Sequence, residues 1–437
     1  MNFLAGWAGV LRQYVLPIGI RVLVKLSVAA QFYVVNRLLP LEAAGWFFSF
    51  FAAIQLGSIF TRAGSPVVAL EAAGICTVSS AVHRMILLRT LLVGYRRQFY
   101  VGLLVGACMG FLCSRLADEP LAVSIMCASL SALWLPAVTL RELLENLFMG
   151  SKAATVGLFV TGILPVLALT SCAMLFMAVI SMPVLVVIAA VTTCTVVCCA
   201  GVIWIAGFGV SSKNKVEFQD IEQTVCGLIE KKSSGLRWPV IINNGVLPNF
   251  PQVVAAVAFS GESAAAFAAA RALANIVLLP CGIIYPYFVA DSREWSSLSN
   301  SAERAAFKSA FIKSTFAAIA CSAPGFLLVF FAAAYLVEFL LGEESIAATV
   351  ALHVLTLSAF VNVLSGPGPY ALICAGKTDQ YRSAVVIGLF VSTAGYLAAP
   401  FAGWLSFILL VGAGVSSVNI ISTFFSQRLF RDWHESR

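Results

Sequence analysis

Twelve apolar runs alternate with short polar segments, near residues 15–38, 44–70, 99–117, 121–147, 154–177, 181–207, 238–259, 263–290, 310–337, 346–374, 383–402 and 404–427. A helix needs about 20 residues to cross a bilayer, and each run is near that length or longer. The pattern predicts an all-α integral membrane protein of twelve transmembrane helices. The polar stretch 208–236 has six runs on either side. This predicts an N-terminal six-helix lobe over 1–207, a cytosolic linker over 208–236 and a C-terminal six-helix lobe over 237–437.

The halves echo each other. Glu42-Ala-Ala-Gly-Trp-Phe opens run 2, and Glu262-Ser-Ala-Ala-Ala-Phe opens run 8. Val156-Gly-Leu-Phe-Val-Thr in run 5 matches Ile387-Gly-Leu-Phe-Val-Ser in run 11. The offsets are 220 and 231 residues. A duplicated unit with an even number of spans leaves its copies parallel. They are then related by a pseudo-two-fold axis along the membrane normal, with a central cavity between them.

Charge orients the chain. With the N-terminus in the cytosol, cytosolic segments hold 21 of the 27 Lys and Arg, against two (Arg37 and Arg115) in the outer turns. The positive-inside rule therefore puts both termini in the cytosol of a multi-pass protein. Composition agrees, at 60% hydrophobic, 11% charged and a mean hydropathy of +0.96 over 437 residues. The twelve cysteines lack metal-ligand spacing and read as small hydrophobes. Segments 78–98 and 291–313 interleave basic with apolar residues, which suits helices resting on an anionic inner leaflet of membrane lipids. A solvated topology determinant is the competing reading.

Run 1 carries the chemistry that changes this picture. Arg21 and Lys25 stand at i and i+4, on one helix face. Each would cost about 2.5–3.5 kcal/mol at the centre of a lipid-facing helix. Two arrangements avoid that penalty: a face lining a wet internal cavity, or side chains snorkelling to the headgroups. Arg62 in run 2 and Arg271 in run 8 are further intramembrane cations. A cavity lined by cations implies an anionic cargo. Asn243, Asn244 and Asn249 in run 7, with Gln31 and Gln55 in runs 1 and 2, are candidate sugar-binding amides. Interhelical hydrogen bonding is their other use. His353 reads as a satisfied core histidine. Glu71, Glu142, Glu145 and Glu338 lie at the ends of runs, and no carboxylate is expected at mid-depth. No Walker A motif, nucleophile–His arrangement or metal cluster is present in the sequence, so no catalytic residue, metal or cofactor is expected, and nothing implies a nucleic-acid partner. The chain reads as a transporter, not an enzyme.

With these residues laid out, the chain resembles the polysaccharide branch of the multidrug/oligosaccharidyl-lipid/polysaccharide (MOP) exporter superfamily, and within it Wzx-type O-antigen flippases. The resemblance is carried by Asn36-Arg-Leu-Leu-Pro-Leu-Glu-Ala-Ala-Gly-Trp-Phe, by Gly57 with Arg62-Ala-Gly-Ser-Pro, and by Ser260-Gly-Glu-Ser-Ala-Ala-Ala-Phe with Arg271. It implies two six-helix bundles in the bacterial cytoplasmic (inner) membrane. The implied cargo is an undecaprenyl-diphosphate-linked oligosaccharide, an O-antigen or exopolysaccharide repeat unit for lipopolysaccharide or related polymers, moved by alternating access. Arg21, Lys25, Arg62 and Arg271 would hold the diphosphate. A coupling ion (proton or sodium) and polysaccharide polymerase or chain-length proteins are the further partners it implies. A cationic drug or ion antiporter of the same superfamily is the alternative. A membrane polysaccharide polymerase is the third reading, disfavoured because the outer turns are short.

Overall fold

The structure is a computed structural model. It describes residues 19–20, 22–24, 26–62, 68–69, 72–73, 81–150, 154–175, 181–206, 223, 225–227, 237–292 and 301–435. All regular structure among these residues is helical. In chain order the helices are α1 (26–38), α2 (Leu41–Arg62), α3 (Ala81–Gly94), α4 (Arg96–Leu116), α5 (Leu121–Gly150), α6 (154–175) and α7 (Met182–Ala206). They continue with α8 (237–258), α9 (Gly261–Ala274), α10 (Cys281–Ser292), α11 (Ser301–Phe331), α12 (Ala333–Leu341), α13 (Ile346–Leu364) and α14 (Gly368–Cys374). The last stretch, Thr378–Glu435, is two helices, α15 (378–402) and α16 (404–435), divided at Gly403 (φ 76°, ψ 177°).

Seven described helical stretches are long and apolar enough to cross a bilayer, among them Ile346–Cys374 (α13 with α14) and Thr378–Trp433 (α15 with α16). Their outward surfaces are apolar as well: Leu104, Leu175, Phe331, Phe390 and Phe401 are each at least two-thirds exposed. A soluble protein rarely leaves so much apolar surface in water. The chain is a multi-pass membrane protein.

Contacts divide the chain into two compact units, one of Leu26–Ala265 and the other of Met1–Lys25 with Ala266–Arg437, the division falling inside α9. In the first unit, α4 packs on α5 through small residues four apart. A side chain on Gly106 would collide with the Ser131 carbonyl, and one on Gly110 would come within 2.6 Å of the Ser131 hydroxyl. Close backbone approach through small residues is how membrane helices associate when both sides are apolar. Trp134 then ties α5 to α7, its indole N–H donating to Thr193 Oγ1 at 3.1 Å.

In the second unit, α16 runs beside α13 and the start of α14, with hydrogen bonds at successive turns. Ser358 meets Ser416 (2.7 Å), Asn419 donates to Asn362 (3.0 Å), Thr423 donates to the Ser365 carbonyl and Ser426 to that of Gly368 (3.2 Å). An aromatic cluster of Phe288, Phe307, Phe311, Phe430 and Trp433 closes one end of this unit. The basic stretch 301–313, expected as part of a separate surface segment, is the first part of α11 and continuous with its membrane span. Phe307 and Phe311 are buried in the aromatic cluster, while Ile312 is exposed.

Candidate functional site

Helix α2 is the element around which the first unit's polar groups gather. Glu42 lies in its first turn and Arg62 is its last residue. Its N-terminal end crosses α9 backbone to backbone. A Cβ on Gly45 would lie 2.6 Å from the Gly261 carbonyl carbon and 2.9 Å from Ala265 N, and one on Gly261 would lie 3.0 Å from Glu42 Cα. Positions 45 and 265 are counterparts under the 220-residue offset. One turn further along, Ser49 donates to the carbonyls of Gly45 (2.8 Å) and Gln252 (3.2 Å). The Gln252 amide donates to the Ala264 carbonyl at 2.7 Å and approaches Ser49 Oγ at 3.5 Å. A single buried amide thus links α2, α8 and α9.

Helix α8 is not a regular α-helix. Five residues, Ile242–Val246, form a π-helical turn between Arg237–Ile241 and Leu247–Ala258. Such single-turn bulges insert a residue into the helical ladder and re-aim the side chains around them. Asn243, Asn244 and Gly245 lie in this turn. The Asn249 amide, itself buried, donates to the Gly245 carbonyl at 3.1 Å. Gly245 also lets α8 close on α2, since a Cβ there would fall 2.8 Å from Ile59. Prolines 248 and 251 follow at the start and in the first turns of the α-helical part.

The predicted site residues therefore fall into groups. Gln55, Asn243 and Asn249 are on two helices that pack directly on each other. Gln55 and Arg62 are seven residues apart, two turns along one face of α2. Gln31 is buried on α1, which stacks on α2 through Phe32 and Phe48 (ring centroids 4.2 Å apart). Arg271 is half-buried on α9, ten residues beyond Gly261, and belongs to the other unit. Directly after it, residues 275–280 unwind into successive i to i+3 turns before α10 begins at Cys281. The span that carries Arg271 is thus broken over residues 275–280. Arg21 and Lys25 lie outside the described residues, as do the side chains of Arg62 and Asn244.

Gln252 is the polar residue that reading the sequence passed over. The signal was available, since it lies three residues after Asn249 and next to a proline. His353 is satisfied within its own unit, its Nε2 lying 3.0 Å from the Phe330 carbonyl. Glu145 on α5 is close to a basic partner. Arg141, one turn away, is near enough for charge interaction, and Thr161 in the π-helical turn Phe159–Ile163 donates to its carboxylate at 3.4 Å. Among the described residues no group of His, Cys, Asp and Glu is arranged to hold a metal ion.

No protein-family model matches this chain, and no curated protein matches it. Solved structures do. A MATE transporter in complex with MaL6 covers 96% of this chain and 95% of its own at TM-score 0.65 and 12% identity. An inward-facing multidrug-resistance MATE family transporter of the MOP superfamily covers 96% and 99% at TM-score 0.61 and 12% identity. A MOP superfamily transporter from Pyrococcus furiosus Vc1 (DSM3638), for which a reversed polarity of the binding pocket is taken to suggest a different function, covers 95% and 93% at TM-score 0.66 and 13% identity. At these identities the likeness is one of fold. The chain has the MATE-like fold of MOP superfamily transporters over nearly its whole length.

Proposed function

We propose that this protein is a transporter of an anionic, lipid-linked cargo, a flippase for an undecaprenyl-diphosphate-linked oligosaccharide of the Wzx type, working by alternating access between two six-helix lobes. The observation that carries the reading is the polarity of the membrane-embedded charges. Arg271 lies about 15 Å along α9 at 1.5 Å per residue, and the sequence adds Arg21, Lys25 and Arg62 in other spans. A diphosphate leaving the headgroup layer needs charge-assisted partners of that kind. The amides at 31, 55, 243, 244 and 249 supply hydrogen bonds suited to sugar hydroxyls. The π-helical turn in α8 supports this role for Asn243, because a bulge of that kind marks many functional sites.

The second reading, a cationic drug antiporter, is favoured by the MATE neighbours. It calls for a membrane-embedded carboxylate free to exchange cations. Glu145 is the nearest candidate, and its carboxylate is engaged by Thr161 and close to Arg141. The reversed pocket polarity ascribed to the Pyrococcus protein is a precedent on this fold for a binding pocket of other polarity. The test is complementation of a bacterium lacking its own O-antigen flippase, scored as surface polysaccharide at matched membrane levels. Rescue by the wild type, lost in several of Arg21→Ala, Lys25→Ala, Arg62→Ala and Arg271→Ala, is the expected result. Undiminished rescue in all four would sink the cation site.

A further inference from the structure

Helix α3 has two unlike faces. Ile86, Leu87 and Leu91 are buried in the core of the first unit, and Tyr95 follows them at the junction with α4. Met85, Leu88, Arg89, Leu92 and Val93 follow one another along α3 at i, i+3, i+4, i+7 and i+8, Leu88 also touching that core, and Arg96, the first residue of α4, stands just beyond them. These six residues line an open groove of about 340 Å³. Four of them are apolar, and Met85 and Val93 are each just over half exposed. An outward face in water would carry polar residues instead. Val101 and Leu104 on the following helix, α4, are exposed apolar residues as well. No carboxylate among the described residues pairs with Arg89 or Arg96, although both are exposed.

We infer that this groove is a binding site for an anionic phospholipid, its acyl chain along Met85, Leu88, Leu92 and Val93 and its phosphate held by Arg89 and Arg96. Charge complementarity selects the headgroup: two guanidinium groups, with no carboxylate paired to them among the described residues, favour a headgroup of net negative charge over a zwitterion, whose ammonium offsets the same phosphodiester. The apolar lining selects a lipid over a soluble anion. Each basic residue near a membrane surface contributes about 1 kcal/mol toward an anionic lipid. Removing both should therefore weaken binding about thirtyfold. The inference is independent of the cargo proposed above.

Native mass spectrometry of the full-length protein released from neutral detergent, titrated with phosphatidylglycerol and separately with phosphatidylcholine, reads this directly. The wild type should retain phosphatidylglycerol preferentially. Arg89→Gln with Arg96→Gln should lose that preference while phosphatidylcholine binding and melting temperature stay unchanged. A second pair, Lys377→Gln with Arg428→Gln, removes two exposed charges elsewhere and should leave phosphatidylglycerol binding within about twofold. Equal losses in the two pairs would mean diffuse charge attraction and overturn the site, as would unchanged binding in the first pair. Phosphatidylglycerol binding that persists in the first pair while polysaccharide export is lost would also overturn it, assigning the groove to the transported lipid.

Discussion

Replacing Gly45 by alanine adds one methyl group where two helix backbones touch. Ordinary van der Waals contact begins at 3.4 Å, and the new Cβ would lie 2.6 Å from the Gly261 carbonyl carbon and 2.9 Å from Ala265 N. The nearest obstruction is the Gly261 carbonyl oxygen, which the new Cβ would overlap outright, so the crossing must open by more than the roughly 0.8 Å that the carbonyl carbon alone would demand. No flexible side chain is available to yield, because the obstructing atoms are all backbone. Opening the crossing also lengthens the hydrogen bonds that Ser49 and Gln252 make beside it, at 3.2 Å and 2.7 Å. Overpacking of this kind typically costs about 1–3 kcal/mol. Gly201 on α7 is the control, since a Cβ there meets nothing within 4 Å and alanine is the better helix former by up to about 1 kcal/mol. Thermal unfolding of the purified protein in detergent should show Gly45→Ala melting several degrees below wild type and Gly201→Ala at or above it. A Gly45→Ala protein that melts with the wild type would refute the crossing as described.

Other substitutions test other parts of the packing. Gln252→Leu should lower stability by about 1–2 kcal/mol, because it strips the amide that bridges three helices; denaturation in mixed micelles would measure it. Phe307→Ala removes a fully buried ring from the aromatic cluster and should destabilise by about 3–5 kcal/mol, seen as reduced folded yield and a lower melting temperature. A double-mutant cycle on Asn362 and Asn419 should return a coupling of about 0.6 kcal/mol, and no more than about 1.7.

Much of the architecture was legible because membrane spans are written as long apolar runs. Backbone-to-backbone contacts were harder to read. The likeness of 42–47 to 262–267 marked the right segments, yet not that Gly45 meets Gly261 and Ala265, because glycine's role there depends on a partner distant in sequence. The π-helical turns in α6 and α8 left no mark in the apolar pattern, as a single inserted residue changes periodicity by too little to detect. Gln252 was missed because an amide in an apolar run looks the same whether it binds cargo or bridges helices. In the stretch 301–313, basic residues interleaved with phenylalanine fit a lipid surface and a helix interface equally well, and the structure turns Phe307 and Phe311 to the latter.

The polarity of the cargo is the central claim, and binding by the purified protein tests it most directly. Undecaprenyl diphosphate and a cationic dye such as ethidium would be titrated in parallel against wild type and Arg271→Ala. Saturable binding of the diphosphate, weakened at least tenfold by Arg271→Ala, with no saturable uptake of the dye, is the predicted result. Saturable dye binding with none for the diphosphate would contradict the account and make the protein a cation transporter.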